Sequence, residues 1–221
     1  MTGPKGRRPE PPDSIALPAL TPFSGPTLEA GGDYEATALV DLDLSGQMAD
    51  GIELLGCRVE RCRLDGLSMR RARISECLLL ETQGASIDMA DSTWRDVLFA
   101  DGRIGALTVS SATWTSVRVR GARLDFVDLT TARLTDVAFE GCVIGVLDVG
   151  DAQLRSVRFD GCTIGELDVT GARLVGVDLS RAELGTVRGI GSLRGAIVGP
   201  GQLVDLAPLL AAHVGLEIRG D

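Results

Sequence analysis

A large apolar residue recurs at every fifth position from Leu39 to Leu184, and only Ala49 and Gly84 interrupt this column. Two residues before each of these positions lies a second column of mostly small or β-branched residues, such as Cys57. Neither the period of a strand nor that of an α-helix produces this pattern. Two inward positions in every five residues predict a chain that turns a corner after each five and closes a square coil after twenty.

The coils repeat at the level of whole segments. "EGCVIGVLDVGDAQLRSVRF", residues 140–159, aligns without a gap with "DGCTIGELDVTGARLVGVDL", residues 160–179. We interpret each segment as one coil that lies on the next. Stacked coils pair through their backbones at roughly 4.8 Å per layer, so the column from Leu39 to Leu184 predicts about seven coils. Such a solenoid needs its two ends covered.

The five-residue units resemble those of the pentapeptide-repeat proteins. "ARLTD", residues 132–136, and "ARLVG", residues 172–176, follow the family pattern of a small residue, a polar residue, Leu or Phe, and two variable residues. The resemblance implies an all-β solenoid over residues 35–190, folded as a right-handed quadrilateral β-helix. The repeat alone implies little about function.

The first 34 residues differ from the rest in composition. Seven of the nine prolines lie in the first 26 residues, which predicts a Pro-rich tail or cap over residues 1–34 that is largely extended or disordered. Within it, "SIALPAL", residues 14–20, is an alternative candidate to fold back and cap the first coil.

Residues 191–221 are expected to form a C-terminal module. "PGQLVDLAPLLAAHVG" places apolar residues on one stripe and predicts an amphipathic helix from Gln202 to Val214, stopped by Gly215. Residues 216–218 are a candidate short strand. The stretch 192–218 resembles the end of the Qnr and MfpA quinolone-resistance branch of the family, in which this module pairs two rods. The resemblance implies a homodimer through Leu203, Leu206, Leu209, Leu210 and Val214; a lid on the last coil alone is the alternative.

The unbroken frame assigns each outward residue to one of four faces. The face centred on Met89, Val109, Leu129, Val149 and Val169, here called the aspartate face, has no basic residue between positions 88 and 171. The adjacent face is called the arginine face, since it carries Arg95, Arg133, Arg155 and Arg173 against Asp96 and Asp136. The aspartate face carries Asp88, Asp91, Asp128, Asp148, Asp151 and Asp168.

The charge distribution bears on the choice of partner. A net charge of −9 argues against a general phosphate-binding surface, so no direct nucleic-acid binding is expected. In the Qnr and MfpA proteins an acidic rod imitates DNA and binds DNA gyrase, sometimes topoisomerase IV. The resemblance therefore implies a DNA mimic that modulates a type II topoisomerase or lowers quinolone susceptibility. The repeat is unbroken and leaves no room for the projecting loops of Qnr proteins. In this respect the chain is more similar to MfpA.

Two alternatives stay open for these features. Aspartate before the central residue is common in the repeat and keeps the surface soluble, so the acidic face need not be a binding site. The chain could equally be a repeat scaffold for protein partners unrelated to DNA topology.

Catalytic chemistry is not indicated by the sequence. The five cysteines occupy the small inward position and are expected to fill the core, so neither a metal nor another cofactor is predicted. His213 is the only histidine. The aspartates lie on a convex surface without a cleft, and we expect a non-enzymatic protein. No apolar run is long enough to span a membrane and no signal segment precedes the repeat, which predicts a cytoplasmic location.

Two irregularities interrupt the frame. Gly84 replaces a core residue, so its coil is expected to bulge or to be underpacked. Near it, Leu78, Leu80 and Leu98 fall at outward positions on one face, where they predict either a modest exposed contact patch or local packing by the N-terminal tail. In the core, Trp94 and Trp114 share one column and are expected to stack.

Overall fold

The computed structural model describes residues 15–216, which form a parallel β-solenoid of about nine coils with one C-terminal helix. The predicted solenoid is confirmed, although it has more than the seven coils of the regular frame. The additional coils arise because both irregular ends still pair with their neighbours. Thr21 pairs with Thr37 at one end, and Ala196 pairs with Val177 at the other.

The strands are short and follow the faces of the coil. In chain order they are β1 (Thr21–Pro22), β2 (Asp33–Glu35), β3 (Thr37–Val40), β4 (Glu53–Leu55), β5 (Arg58–Glu60), β6 (Leu67–Ser68), β7 (Arg73–Ser75), β8 (Leu78–Leu80), β9 (Gln83–Asp88), β10 (Thr93–Ala100), β11 (Arg103–Thr108), β12 (Thr113–Arg120), β13 (Arg123–Asp128), β14 (Arg133–Glu140), β15 (Val143–Asp148), β16 (Gln153–Asp160), β17 (Thr163–Asp168), β18 (Arg173–Val175), β19 (Val177–Asp178), β20 (Glu183–Arg188) and β21 (Ala196–Ile197).

The strands assemble into two parallel sheets whose register repeats every twenty residues. Within residues 15–216, one sheet has 14 strands and the other has 7, in the order β20-β17-β15-β13-β11-β9-β6. Trp94 pairs with Trp114, and Leu124 pairs with Ile144. Because each residue lies beside the residue twenty positions later, side chains of one column share one face along the rod.

The two inward columns form one continuous apolar core. Trp94 and Trp114 stack with ring centroids 4.7 Å apart, as predicted, and in the neighbouring column Phe139 and Phe159 stack with a separation of 4.8 Å. All five cysteines are free and buried, which confirms that they fill the core. Few aromatic residues are needed because the interior is only as wide as two facing side chains.

The coil at Gly84 does not bulge. Gly84 pairs in register with Ile104, and a Cβ atom on Gly84 would lie 3.1 Å from the carbonyl carbon of Leu64. The coils around it enclose an apolar cavity of about 40 Å³ whose lining includes Leu64, Thr82 and Ile104. The expectation of a bulge was wrong, because the backbone of the preceding coil closes over the missing side chain. The looser packing is present as this small cavity.

The N-terminal end of the rod is built from irregular chain. β1 joins the 14-stranded sheet beside β3, Leu28 is buried with the core, and the rings of Phe23 and Tyr34 lie 5.8 Å apart. Residues 21–34 therefore belong to the coiled structure and are not a free tail. The buried apolar residue at this end is Leu28, whereas Ile15 is only half-buried. The first 13 residues of the Pro-rich segment, and Ser14 of the candidate cap, lie outside the described residues.

The C-terminal end is closed by a 3₁₀ turn, Ile190–Ser192, and by helix α1, Pro200–His213. The helix begins two residues earlier than predicted because Pro200 occupies its first turn, and it continues through Pro208. Gly215, with φ at 80°, follows its end as expected. Leu216 is not in a strand, and the rest of the candidate strand at 216–218 lies outside the described residues.

The predicted apolar patch is not exposed. Leu98 is buried, and Leu78 and Leu80 are half-buried, although all three point away from the core. Of the two expectations for these leucines, the exposed patch was wrong, since no member is fully exposed.

Candidate interaction surface

The corners of the coil fix which residues face outward. At most corners the fifth residue of each unit adopts a left-handed backbone, with φ of 61° at Asp91, 59° at Thr131 and 61° at Gly121. Each such corner ends one face and begins the next, so four faces of five residues close each coil. The fold is that of a pentapeptide-repeat β-helix.

Comparison with solved structures returns proteins of the same repeat type. HetL, a pentapeptide repeat protein involved in heterocyst differentiation regulation from the cyanobacterium Nostoc sp. strain PCC 7120, is 14% identical with a TM-score of 0.34, over 80% of this chain and 93% of HetL. A trypsin-treated form of QnrB1, a plasmid-mediated fluoroquinolone resistance protein, is 16% identical with a TM-score of 0.32, over 93% of this chain and 100% of that one. Full-length QnrB1 is 16% identical with a TM-score of 0.29, over 85% and 92% of the two chains.

These superpositions are loose and the identities are low, so they carry no argument about function. No family model matches the pentapeptide-repeat chain, and no curated protein does. The assignment of the fold rests on the coil geometry and on the register of the repeat.

The aspartate face carries a continuous column of carboxylates. β13, β15 and β17 are adjacent, and Asp128 pairs with Asp148, which pairs with Asp168. Their spacing is the interval between coils, roughly 4.8 Å. The structure thus places these three predicted residues in one straight line. Asp151 lies exposed at a corner beside this column, with φ at 54°.

Each carboxylate of the column also stabilises its own turn. Oδ1 of Asp128 accepts a hydrogen bond from Thr130 N at 2.9 Å, and Oδ1 of Asp148 accepts one from Gly150 N at 2.8 Å. Aspartate often bonds the backbone two residues later in this way, at the point where a strand turns. The bonds hold each carboxylate in one orientation, so the column is pre-organised. The triplets "DLT", "DVG" and "DVT" are the signal from which this role could have been found in the sequence.

The ionised form of Asp168 is stabilised by its turn and by a neighbouring charge. Hydrogen bonds from Thr170 and, to a smaller extent, the nearby positive charge of Arg188 hold the pKa of its carboxyl group below the ordinary value, against the small effect of burial. The group therefore remains ionised at neutral pH and below.

Arginines lie just beyond both ends of the aspartate face, outside positions 88–171, and the one at the N-terminal end neutralises two of its carboxylates. Arg70 contacts Asp88 at 2.9 Å and Asp91 at 3.2 Å. At the other end Arg188 pairs in register with Asp168, and its Nε lies 3.0 Å from Glu166. The six predicted residues are therefore not equivalent. The open part of the face consists of Asp128, Asp148, Asp151 and Asp168.

These two arginines could have been found from the sequence. Arg70 and Arg188 lie at the same positions modulo twenty as residues of the aspartate face, but in the coils before and after it. By contrast, the side chains of the arginine face are all exposed, at Arg95, Arg133, Arg155 and Arg173. Opposite charges are thus separated between two adjacent sides of the rod.

The five predicted interface residues of helix α1 occupy different environments. Leu206 is buried and Leu210 is half-buried, so these two face the last coil and act as a lid. Leu203, Leu209 and Val214 are exposed. Two open clefts of about 360 Å³ and 330 Å³ flank the helix, both lined mainly by apolar residues.

The helix is fixed to the rod by Gln202. Its Oε1 accepts a hydrogen bond from Gly199 N, and its Nε2 donates to the carbonyl oxygens of Leu179 and Ala182, all at 2.7 Å. The side chain thereby satisfies backbone groups at both the helix start and the last complete coil. The sequence identified Gln202 as the opening residue of the helix but not this link.

Within residues 15–216, no helix is long and apolar enough to cross a membrane. The same part of the chain holds no group of three or more His, Cys, Asp or Glu side chains arranged to bind a metal ion.

Proposed function

We propose that the protein is a DNA mimic that binds a type II topoisomerase, in the first instance DNA gyrase, through the aspartate face. Binding would modulate the enzyme or lower its susceptibility to quinolones, with no catalytic step in the protein itself. The observation that carries the proposal is the straight, pre-organised column of Asp128, Asp148 and Asp168. The resemblance of the C-terminal module to the Qnr and MfpA branch selects the target.

The charge density of the column supports this role. One strand of duplex DNA carries one phosphate charge per about 3.4 Å of axis. One aspartate per coil at about 4.8 Å gives about 0.7 of that density, and Asp151 adds to it. A groove that binds DNA is lined with basic groups, so an acidic rod gains association rate from complementary charge. The arginines at both ends limit the acidic stretch to the coils between them.

We further propose that the protein acts as a homodimer joined through the C-terminal module. Leu203, Leu209 and Val214 supply exposed apolar surface beside the two clefts of helix α1. Pairing there would place two rods end to end and double the length of surface offered to a target. Sedimentation of Leu203→Glu tests this, with Val175→Glu as a control, since both side chains are 52% exposed. Only Leu203→Glu should sediment as a smaller species; equal behaviour of the two variants contradicts the interface.

The decisive experiment measures gyrase supercoiling and quinolone-induced DNA cleavage with the purified protein at micromolar concentration. The wild-type protein should change at least one activity. The triple variant Asp128→Asn, Asp148→Asn, Asp168→Asn should require at least tenfold more protein for the same effect. Asparagine keeps the Oδ1 acceptor of each turn, so the variant removes charge and preserves the backbone.

A matched control removes the same charge elsewhere. Asp96→Asn, Asp101→Asn and Asp136→Asn alter three left-handed corners off the aspartate face, where asparagine is well tolerated. This control should behave like the wild-type protein. If both triple variants lose potency equally, net charge and not the aspartate face is responsible.

The alternative of a scaffold with an unrelated partner is favoured by one observation. Every aspartate of the column caps its own turn, which accounts for the column without any partner. No effect of the wild-type protein on gyrase would support this alternative over the mimic.

A further inference from the structure

The side of the rod opposite the arginine face carries an exposed apolar patch in its middle coils. We call this side the valine face, after its outward residues Val143 and Val146. Its inward column is Ile104, Leu124, Ile144 and Ile164. Val143 is 45% exposed, and Phe126, in the preceding coil, is 39% exposed. Val146 pairs in register with Phe126 and is half-buried. The three side chains lie in two neighbouring coils and form one patch, unlike the scattered apolar residues of an ordinary surface.

The middle of the valine face is low, because most of its central outward column has no side chain. This column contains Gly105, Gly145, Gly165 and Gly185, and only Asp125 interrupts it. A Cβ atom on Gly165 would lie 2.7 Å from the carbonyl oxygen of Gly145, so each coil lies close against the preceding one here. A flat partner surface can therefore approach the strands directly.

The charge of the valine face changes sign along the rod. Its first outward column reads Arg103, Arg123, Val143, Thr163 and Glu183, one residue per coil. Arg103 and Arg123 are exposed, and neither forms an ion pair with another residue in the part of the chain that the structure describes. Glu183 is exposed and accepts a hydrogen bond from Thr163 Oγ1 at 3.4 Å. The column thus runs from two cations, through an apolar residue at its centre, to an anion.

This column is complementary to its own reverse. A two-fold axis that lies in the plane of the face, crosses the rod at right angles and passes through the coil of Val143 brings Arg103 of one copy opposite Glu183 of the other. The same operation brings Val143 opposite itself. It also places Asp125 over Gly165, where no side chain occupies the space. In a parallel pair each coil lies beside its own copy, so Arg103 and Glu183 stay at opposite ends and cannot meet. Charge therefore favours the antiparallel arrangement.

We propose that a second copy of this chain docks on the valine face, side by side and antiparallel, with the two-fold axis at Val143. Such an interface uses the same patch on both copies. Both aspartate faces then lie uncovered on one side of the pair and run in opposite directions. The valine face is distinct from the C-terminal module, and the proposal does not depend on the proposed function.

The size of the patch limits the strength of this pairing. Five coils extend over about 24 Å and four residues across the face span about 13 Å, so each copy contributes about 300 Å² of flat area. A stable complex buries about 800 Å² per partner. The pair is therefore weak and forms at high protein concentration. It is also sensitive to salt, because Arg103 and Glu183 lie at the exposed ends of the interface.

Disulfide cross-linking tests the geometry, because all five native cysteines are buried. Val143→Cys places a thiol on the two-fold axis, and Leu203→Glu in the same chain removes the C-terminal pairing proposed above. Oxidation with copper phenanthroline should then give a covalent dimer. Val175→Cys in the same background is the control, since Val175 is 52% exposed on the arginine face. Val143→Cys should cross-link at least tenfold faster than this control, and equal rates would overturn the side-by-side pair.

Charge reversal tests the antiparallel register in the same Val143→Cys protein. Arg103→Glu and Glu183→Arg each place like charges opposite one another, so each should slow cross-linking at least threefold. The double variant restores the pair in reversed order and should restore the rate. A general effect of net charge would instead move the two single variants in opposite directions. Single variants that cross-link at the unchanged rate, or a double variant that is no faster than they are, would overturn the pairing of Arg103 with Glu183.

Discussion

The link between helix α1 and the rod makes a sharp prediction about stability. Replacement of Gln202 by alanine removes three hydrogen bonds of 2.7 Å, to Gly199 N and to the carbonyl oxygens of Leu179 and Ala182. A hydrogen bond contributes a net stabilisation of about 0.5–1.5 kcal/mol, and water at the rod end recovers part of it. Gln202→Ala should therefore lower the free energy of unfolding by about 2–3 kcal/mol.

The assay is thermal unfolding followed by far-ultraviolet circular dichroism. In a chain of this length 1 kcal/mol corresponds to about 2–4 °C, so Gln202→Ala should lower the Tm by about 4–12 °C. Gln153→Ala, at an exposed strand position, is the matched control and should stay within about 0.5 kcal/mol of the wild-type protein.

A further substitution separates the hydrogen bonds from the loss of side-chain volume. Gln202→Glu keeps the size of the side chain but turns a carboxylate oxygen toward two carbonyl oxygens, so it should destabilise the protein at least as much as alanine does. If Gln202→Ala and Gln153→Ala unfold at the same temperature, the Gln202 side chain does not hold the helix to the rod and the reasoning is refuted.

Three further predictions concern the column, the corners and the thiols. Thr170 lowers the pKa of the Asp168 carboxyl group, so the ionised group stabilises the folded protein at pH values above its unfolded pKa. This stabilisation is lost as the pH falls through the lowered pKa of the folded state. In Thr170→Val, carbon-13 titration should show that the pKa of Asp168 has risen toward its ordinary value. Gly141 has φ at 60° with open space around its Cβ position, so Gly141→Asn should be nearly neutral and Gly141→Val should cost about 1–2 kcal/mol in denaturant unfolding. The neighbouring Cys57 thiol and burial raise the pKa of Cys77, so Cys77 should react with a thiol reagent only after unfolding; fast labelling of the native protein would contradict this.

The sequence predicts the regular part of the fold well because its determinant is local. Each unit of five residues carries its own two inward side chains. Because no residue is inserted or deleted between Leu39 and Leu184, the repeat fixes the register of the whole stack. The ends could not be predicted in this way. Thr21 and Thr37 are sixteen residues apart, so their pairing does not follow the repeat and depends on how Leu28 fills the open end.

The candidate site was predicted in the same partial manner. The in-register column of Asp128, Asp148 and Asp168 follows directly from the period of twenty. Arg70, which neutralises Asp88, lies in the coil before position 88. The aspartate face was taken to begin at position 88, so the sequence prediction did not include this arginine. The burial of Leu98, at an outward position, is likewise not contained in the periodicity of the repeat.

The in-register stacking of coils of equal length has a consequence for how such a chain can change in evolution. Removal of residues 129–148 would bring Leu124 against Ile164 and Asp128 against Asp168, and duplication would stack that segment on its own copy, so every junction would still join side chains of the same kind. The cross-section would be preserved while the number of carboxylates in line would change by one. The length of the rod, and with it the size of the partner it can match, can therefore change while the packing and register of each coil stay the same.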